Sequence, residues 1–107
     1  MAAFEYAADI WETLITSSEI IRITARYEPL ASEVLGSSRI IQYFHNFTPD
    51  PTEPTFQNGT WYPSALANKL AHQDLDSVAS DIYIEFTHDS LLTPFGLSWY
   101  CQKGQEL

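Results

Sequence analysis

The sequence predicts a single small α+β domain, with a mostly antiparallel sheet of about four to five strands and two helices packed on one face. Three observations carry that expectation. Apolar side chains recur at helical spacing over residues 2–17. Residues 21–27 and 81–88 alternate apolar and polar side chains with the period of a strand. The elements run helix, strand, turn, strand, hairpin, helix, strand, strand, with no internal repeat. At 107 residues, one domain covering 1–107 is the expected organisation.

The first helix is predicted from Phe4, Ala7, Ala8, Trp11, Leu14 and Ile15, spaced by three and four. Glu5, Asp9 and Glu12 fall on the other side as an acidic stripe. Ser17 and Ser18 end the helix. Ile21, Ile23, Ala25 and Tyr27 then alternate with Arg22, Thr24 and Arg26, the pattern of a half-buried strand. Glu28-Pro29 closes it, and Leu30 to Leu35 reads as a helical turn capped by Gly36. A second strand is expected over 40–47. Both of its faces carry apolar residues, so a central place in the sheet is predicted.

Three prolines make 48–54 an extended, exposed loop. Asn58-Gly59, between Phe56 and Trp61, is a strong hairpin signal, because a tight two-residue turn requires positive φ. Phe56 is expected to pair with Trp61 across the two arms. Ser64 is placed as the N-cap of a second helix over about 65–73, with Leu66, Leu70 and Ala71 inward. In the last strands, Ile82, Ile84 and Phe86 form one face, and Leu97, Trp99 and Cys101 another. The predicted core is Trp11, Ile21, Ile23, Ile41, Tyr43, Ile82, Ile84, Phe86 and Trp99.

Charge bounds the function more than any motif does. Fourteen Asp and Glu face five Lys and Arg, a net charge of −9, while 45% of residues are hydrophobic and 14% aromatic. That apolar content supports a folded chain rather than an acidic tail. The field it implies favours a basic partner and disfavours nucleic acid and anionic membrane. A lone cysteine, Cys101, allows no internal disulfide and points to a reducing compartment. No basic leader and no apolar run of spanning length is read, so a cytoplasmic location is expected, in a cell or an infected host cell.

Catalytic and metal patterns do not assemble from the sequence. Residues 30–38 loosely resemble a helix-turn-helix, but Ala31 stands five residues before Gly36 rather than four, and net charge opposes phosphate contacts. Phe86-Thr87-His88-Asp89 resembles the His-Asp segment of histidine acid phosphatases, but the companion Arg-His-Gly that carries the nucleophile is absent. His72 and Asp76 are four apart with Asp74 near, and Asp50 and Glu53 offer oxygens, yet no metal-ligand spacing is complete. Glycines at 36, 59, 96 and 104 are too dispersed for a phosphate loop.

The expected function is therefore a non-catalytic acidic binding protein, without cofactor or metal. By composition it belongs with inhibitors and antagonists such as immunity proteins, anti-CRISPR and other viral proteins, and nucleic-acid mimics. Its expected partner is a larger protein with a basic patch, for instance a nucleic-acid-binding protein. The candidate contact residues are Glu5, Asp9, Glu12, Asp74, Asp76, Asp81, Trp61 and Tyr62. Two alternatives are a small enzyme or ligand-binding domain with an aromatic pocket, and a structural subunit of a larger assembly.

Overall fold

The computed structural model describes residues 2–99 and is broadly α+β. Helix α1 spans Ala2–Glu12, strand β1 Ile23–Glu28, β2 Gly36–Ile40, β3 Tyr43–Phe44 and β4 Tyr62–Pro63. Helix α2 spans Ser64–Ala71, β5 spans Ile82–Thr87, and short 3-10 turns follow at Asp89–Leu91 and Thr93–Phe95. The five strands do not form one sheet. They form a three-stranded sheet in the order β1-β5-β2 and a separate β3-β4 ribbon.

The larger sheet is mixed in direction. The Arg22 carbonyl accepts from Ile82 N–H, and the Glu28 carbonyl accepts from His88 N–H. Partners that advance together along both chains define a parallel pair, so β1 lies parallel to β5. On the other side of β5, Ile41 N–H donates to Asp81 O and Thr87 N–H to Leu35 O. Those partners advance in opposite senses, so β2 is antiparallel. The helical turn expected over 30–35 is a non-helical turn in which Glu33 takes the positive φ, at 68°. Gly36 opens β2 instead of capping a helix. A Cβ there would sit 3.0 Å from the Glu85 carbonyl, so glycine lets β2 approach β5 closely.

The chain divides into two compact units. The first unit contains residues 1–16, 26–37 and 85–107. Here Phe86 on β5 meets Phe4 of α1 edge to face at 6.2 Å and Trp99 at 5.7 Å. The Trp99 indole N–H donates to the Thr87 carbonyl at 2.7 Å. Leu92 and Thr87 are buried beside this aromatic group's strand and turns. Residues 97–99 are not a strand, and the expected face at Cys101 lies outside the described residues.

The second unit contains residues 17–25 and 38–84. Its centre is α2, with Ser64, Ala67, Asn68 and Leu70 buried. The helix begins directly after Pro63, which supplies no side-chain cap, and ends at His72 in the left-handed region, φ 52°. Leu66, expected inward, is exposed. The strand expected over 40–47 is interrupted at 41–42, where the chain leaves the larger sheet to form β3. Consequently Ile41 and Tyr43 are exposed rather than central, as are Ile23 and Trp11. Ile21, Ile82, Ile84, Phe86 and Trp99 are half-buried.

The Asn58-Gly59 turn forms, with Gly59 at φ 74°, but Asn58 does not share the positive φ. No hairpin joins 56 to 61. The strand after the turn, β4, pairs antiparallel with β3, with Tyr43 opposite Pro63 and Phe44 opposite Tyr62. Prolines at 54 and 63 shorten the arms of a local hairpin, and the longer-range pairing takes its place.

Candidate functional site

Helix α1 has two distinct exposed faces. At about 100° per residue, Glu5, Asp9 and Glu12 lie within about 60° of one another around the axis. All three are exposed. On another side, Ala7, Ile10, Trp11 and Leu14 form an i, i+3, i+4, i+7 row. The three large members of that row are 48%, 61% and 66% exposed. Leu14 lies two residues beyond the end of α1, in a turn where its N–H donates to Trp11 O at 2.9 Å. Phe4, seven residues before Trp11 and so on the same side of the helix, meets Phe86 of β5 edge to face. The helix therefore carries more apolar surface than its own unit uses.

The second expected acidic group, Asp74, Asp76 and Asp81, has a different environment. Asp81 is 4% exposed. Its Oδ2 accepts from the Arg22 backbone N–H at 2.9 Å, and its Oδ1 from Ser64 Oγ at 2.8 Å and Asn68 Nδ2 at 3.3 Å. This carboxylate joins the start of β1 to α2. Asn68 passes the connection on, its Oδ1 accepting from Leu75 N–H at 2.9 Å. Asp74 pairs with the Arg22 guanidinium and accepts from Asp76 N–H at 3.1 Å. Asp76 in turn accepts from Val78 N–H at 3.1 Å and Ala79 N–H at 3.3 Å. These aspartates organise the 74–81 loop through the short side-chain-to-backbone bonds that favour Asp in turns.

Trp61 and Tyr62 point to opposite faces of the β3-β4 ribbon. One step beyond the Phe44–Tyr62 pair, His45 stacks under Trp61, with centroids 3.6 Å apart and planes 15° apart. Trp61 and Tyr43 are exposed on that face. Tyr62 lies inward against Phe56 at 5.7 Å and Phe47 at 6.0 Å, and its hydroxyl accepts from Gln57 N–H. Phe56 thus meets Tyr62 rather than Trp61.

Two polar groups were not legible as groups in the sequence. In the second unit, Glu53 accepts from Lys69 Nζ through both oxygens at 3.1 Å and lies 2.9 Å from His72 Nε2. Asp50 Oδ2 is 3.4 Å from His72 Nδ1. Asp50 N–H also donates to the Leu70 carbonyl at 2.8 Å. The proline loop is thereby fastened to the C-terminal end of α2. Hydrogen bonds from His72 and Lys69 hold the Glu53 carboxyl below its ordinary range, and those from Thr52 do the same for Asp50. The His72 ring thus stands between the carboxylates of Glu53 and Asp50.

In the first unit, Glu28 on β1 hydrogen-bonds Glu85 on the neighbouring β5. That bond, with burial and the like charge of Glu85, raises the Glu28 carboxyl above its ordinary range, against an opposing pull from Arg26. His88 and Asp89 have structural neighbours. His88 Nδ1 accepts from Ser90 N–H, its ring tilts against Tyr27, and Asp89 N–H donates to the Tyr27 hydroxyl. Among the described residues, no cluster of three or more His, Cys, Asp and Glu is arranged to hold a metal ion. No helix among them is long and apolar enough to cross a membrane. No protein-family model, curated protein or solved structure matches this chain.

Proposed function

We propose that this is a non-catalytic acidic binding protein, an inhibitor or antagonist that docks α1 on a larger protein. The single observation behind this reading is the unpartnered row Ile10, Trp11 and Leu14 beside the acidic stripe Glu5, Asp9 and Glu12. Such a row is how an amphipathic helix enters an apolar groove. The stripe calls for Lys and Arg on the rim of that groove, where they steer encounter. A nucleic-acid-binding protein whose basic surface borders an apolar cleft has this chemistry. Asp81 has no part in this reading because its side chain is buried. The alternative of a structural subunit is favoured by the same exposed row, and differs in making the contact permanent.

The test begins with a photo-crosslinking residue placed at Trp11 and, as a control, at Val78, which is 94% exposed. The protein crosslinked at position 11 alone is then purified and its kinetics measured. Trp11→Ala is expected to raise the dissociation rate and weaken binding about 30-fold, the equivalent of about 2 kcal/mol. Reversing Glu5, Asp9 and Glu12 to Lys is expected to slow association, and added salt to slow it for the parent. Equal crosslinking from both positions, or rates unmoved by these changes, refutes the proposal. A complex that does not dissociate on the experimental timescale favours the subunit.

A further inference from the structure

We infer that Asn58 is a site of spontaneous deamidation, and that the structure confines this reaction to one of the chain's three asparagines. Those are Asn46, Asn58 and Asn68. Asn68 is 2% exposed and both ends of its amide are bonded, Nδ2 to Asp81 and Oδ1 to Leu75 N–H. Asn46 is exposed but precedes Phe47, whose side chain crowds the backbone nitrogen that has to react. Asn58 is exposed and precedes Gly59, also exposed. A Cβ built on Gly59 would meet nothing within 4 Å. Among the described residues, neither the Asn58 side-chain amide nor the Gly59 N–H makes a hydrogen bond. The nucleophile, the electrophile and the path for water are all open.

The chemistry needs only water. The Gly59 backbone nitrogen gives its proton to solvent base and attacks Asn58 Cγ, which is held within reach by the chain itself. The N–Cγ bond forms, the Cγ–Nδ2 bond breaks, and the amide leaves with a proton as ammonia. A five-membered succinimide remains. Water then adds to either ring carbonyl. Breaking the N–Cγ bond restores the normal main chain with aspartate. Breaking the bond from the same nitrogen to the Asn58 backbone carbonyl carbon gives isoaspartate. In sum an amide and a water become a carboxylic acid and ammonia, and nothing is oxidised or reduced. The product adds one negative charge to a chain already at −9. In the isoaspartate form the main chain is longer by a methylene, within the turn that the Gln57 N–H to Tyr62 hydroxyl bond closes. The altered turn leads directly into Trp61 and Tyr62.

The experiment incubates the folded full-length chain at neutral and at mildly acid pH and maps the products by peptide mass. Fragmentation assigns each site. A mass gain of about 1 Da, carboxyl for amide, is expected at Asn58. Conversion there is expected to be at least about tenfold faster than at Asn46 or Asn68, and faster at neutral than at acid pH. Isoaspartyl methyltransferase with S-adenosylmethionine, as a probe, counts the isoaspartate fraction. Gly59→Ala is expected to slow the conversion about tenfold or more, because its Cβ obstructs the attacking nitrogen. Asn58→Gln keeps the glycine turn but requires a six-membered ring, and is expected to remain unmodified. An unchanged mass at Asn58, equal rates at all three asparagines, or equal rates in Gly59→Ala and the parent overturns the inference.

Discussion

Replacing Asp81 by asparagine tests whether this carboxylate is a structural junction. The side chain is 4% exposed and accepts three hydrogen bonds, one from a backbone N–H and two from side chains. Asparagine has nearly the same shape but presents one acceptor and one donor group. If its oxygen serves Ser64 and Asn68, its NH2 must face the Arg22 N–H. One bond is then lost and two donors confront each other without water. Leaving a buried donor unsatisfied costs about 1–3 kcal/mol, so Asp81→Asn is expected to destabilise by about 2 kcal/mol. Asp81→Ala strands all three donors and is expected to cost at least about 3 kcal/mol. Urea unfolding at neutral pH is the assay, and Asp81→Asn should lower the midpoint by about 1–2 M. A midpoint unchanged within error refutes the reasoning. So does a change in partner association with stability intact, because that would put Asp81 on a contact surface.

The pH dependence of stability has two limbs. Asp50 and Glu53 are held below the ordinary carboxylate range, so their contribution is full above that range and is lost as pH falls through their folded-state values. Glu53→Gln should flatten this acid limb in unfolding measured across pH, and an unchanged profile refutes the assignment. Glu28 has the opposite sign, because its raised value makes the folded state hold the proton more tightly. Its contribution is present below the ordinary carboxylate range and is lost as pH rises through the folded value, so Glu28→Gln should remove that decline. Thr87 is 1% exposed and its hydroxyl has no partner among the described residues. Thr87→Val is expected to stabilise by about 1 kcal/mol in urea unfolding, and a loss of stability shows that the hydroxyl is bonded.

The sequence was most informative where structure is local. The helical spacing around Phe4 and Trp11 located α1, and alternation located β1 and β5 to within about two residues. Periodicity identifies an apolar face but not what covers it. The spacing therefore predicts a core position for Trp11, which is exposed. Pairing between distant segments was not legible. Asn58-Gly59 marks a turn in the sequence, but the strand after it pairs with Tyr43–Phe44 rather than with its neighbour. Sequence alone predicts a surface charge at Asp81, because aspartate is usually solvated. Its burial depends on donors at Arg22, Ser64 and Asn68, which only the folded chain assembles. The junction of Asp50, Glu53, Lys69 and His72 was hidden for the same reason, and its one local hint was the cluster of acids and prolines at 49–54.

The strand order β1-β5-β2 sets a timetable for folding. Neither β1 nor β2 has the other as a neighbour, and each waits for β5, the last strand among the described residues. During synthesis, two strands' worth of unsatisfied backbone leaves the ribosome some forty residues or more before the segment that completes it. Closing so long a loop against its entropy makes sheet assembly slow compared with a hairpin. Over that interval the nascent chain exposes two unpaired edges to any other strand nearby. Like charge on neighbouring copies, net −9 for the whole chain, opposes such pairing.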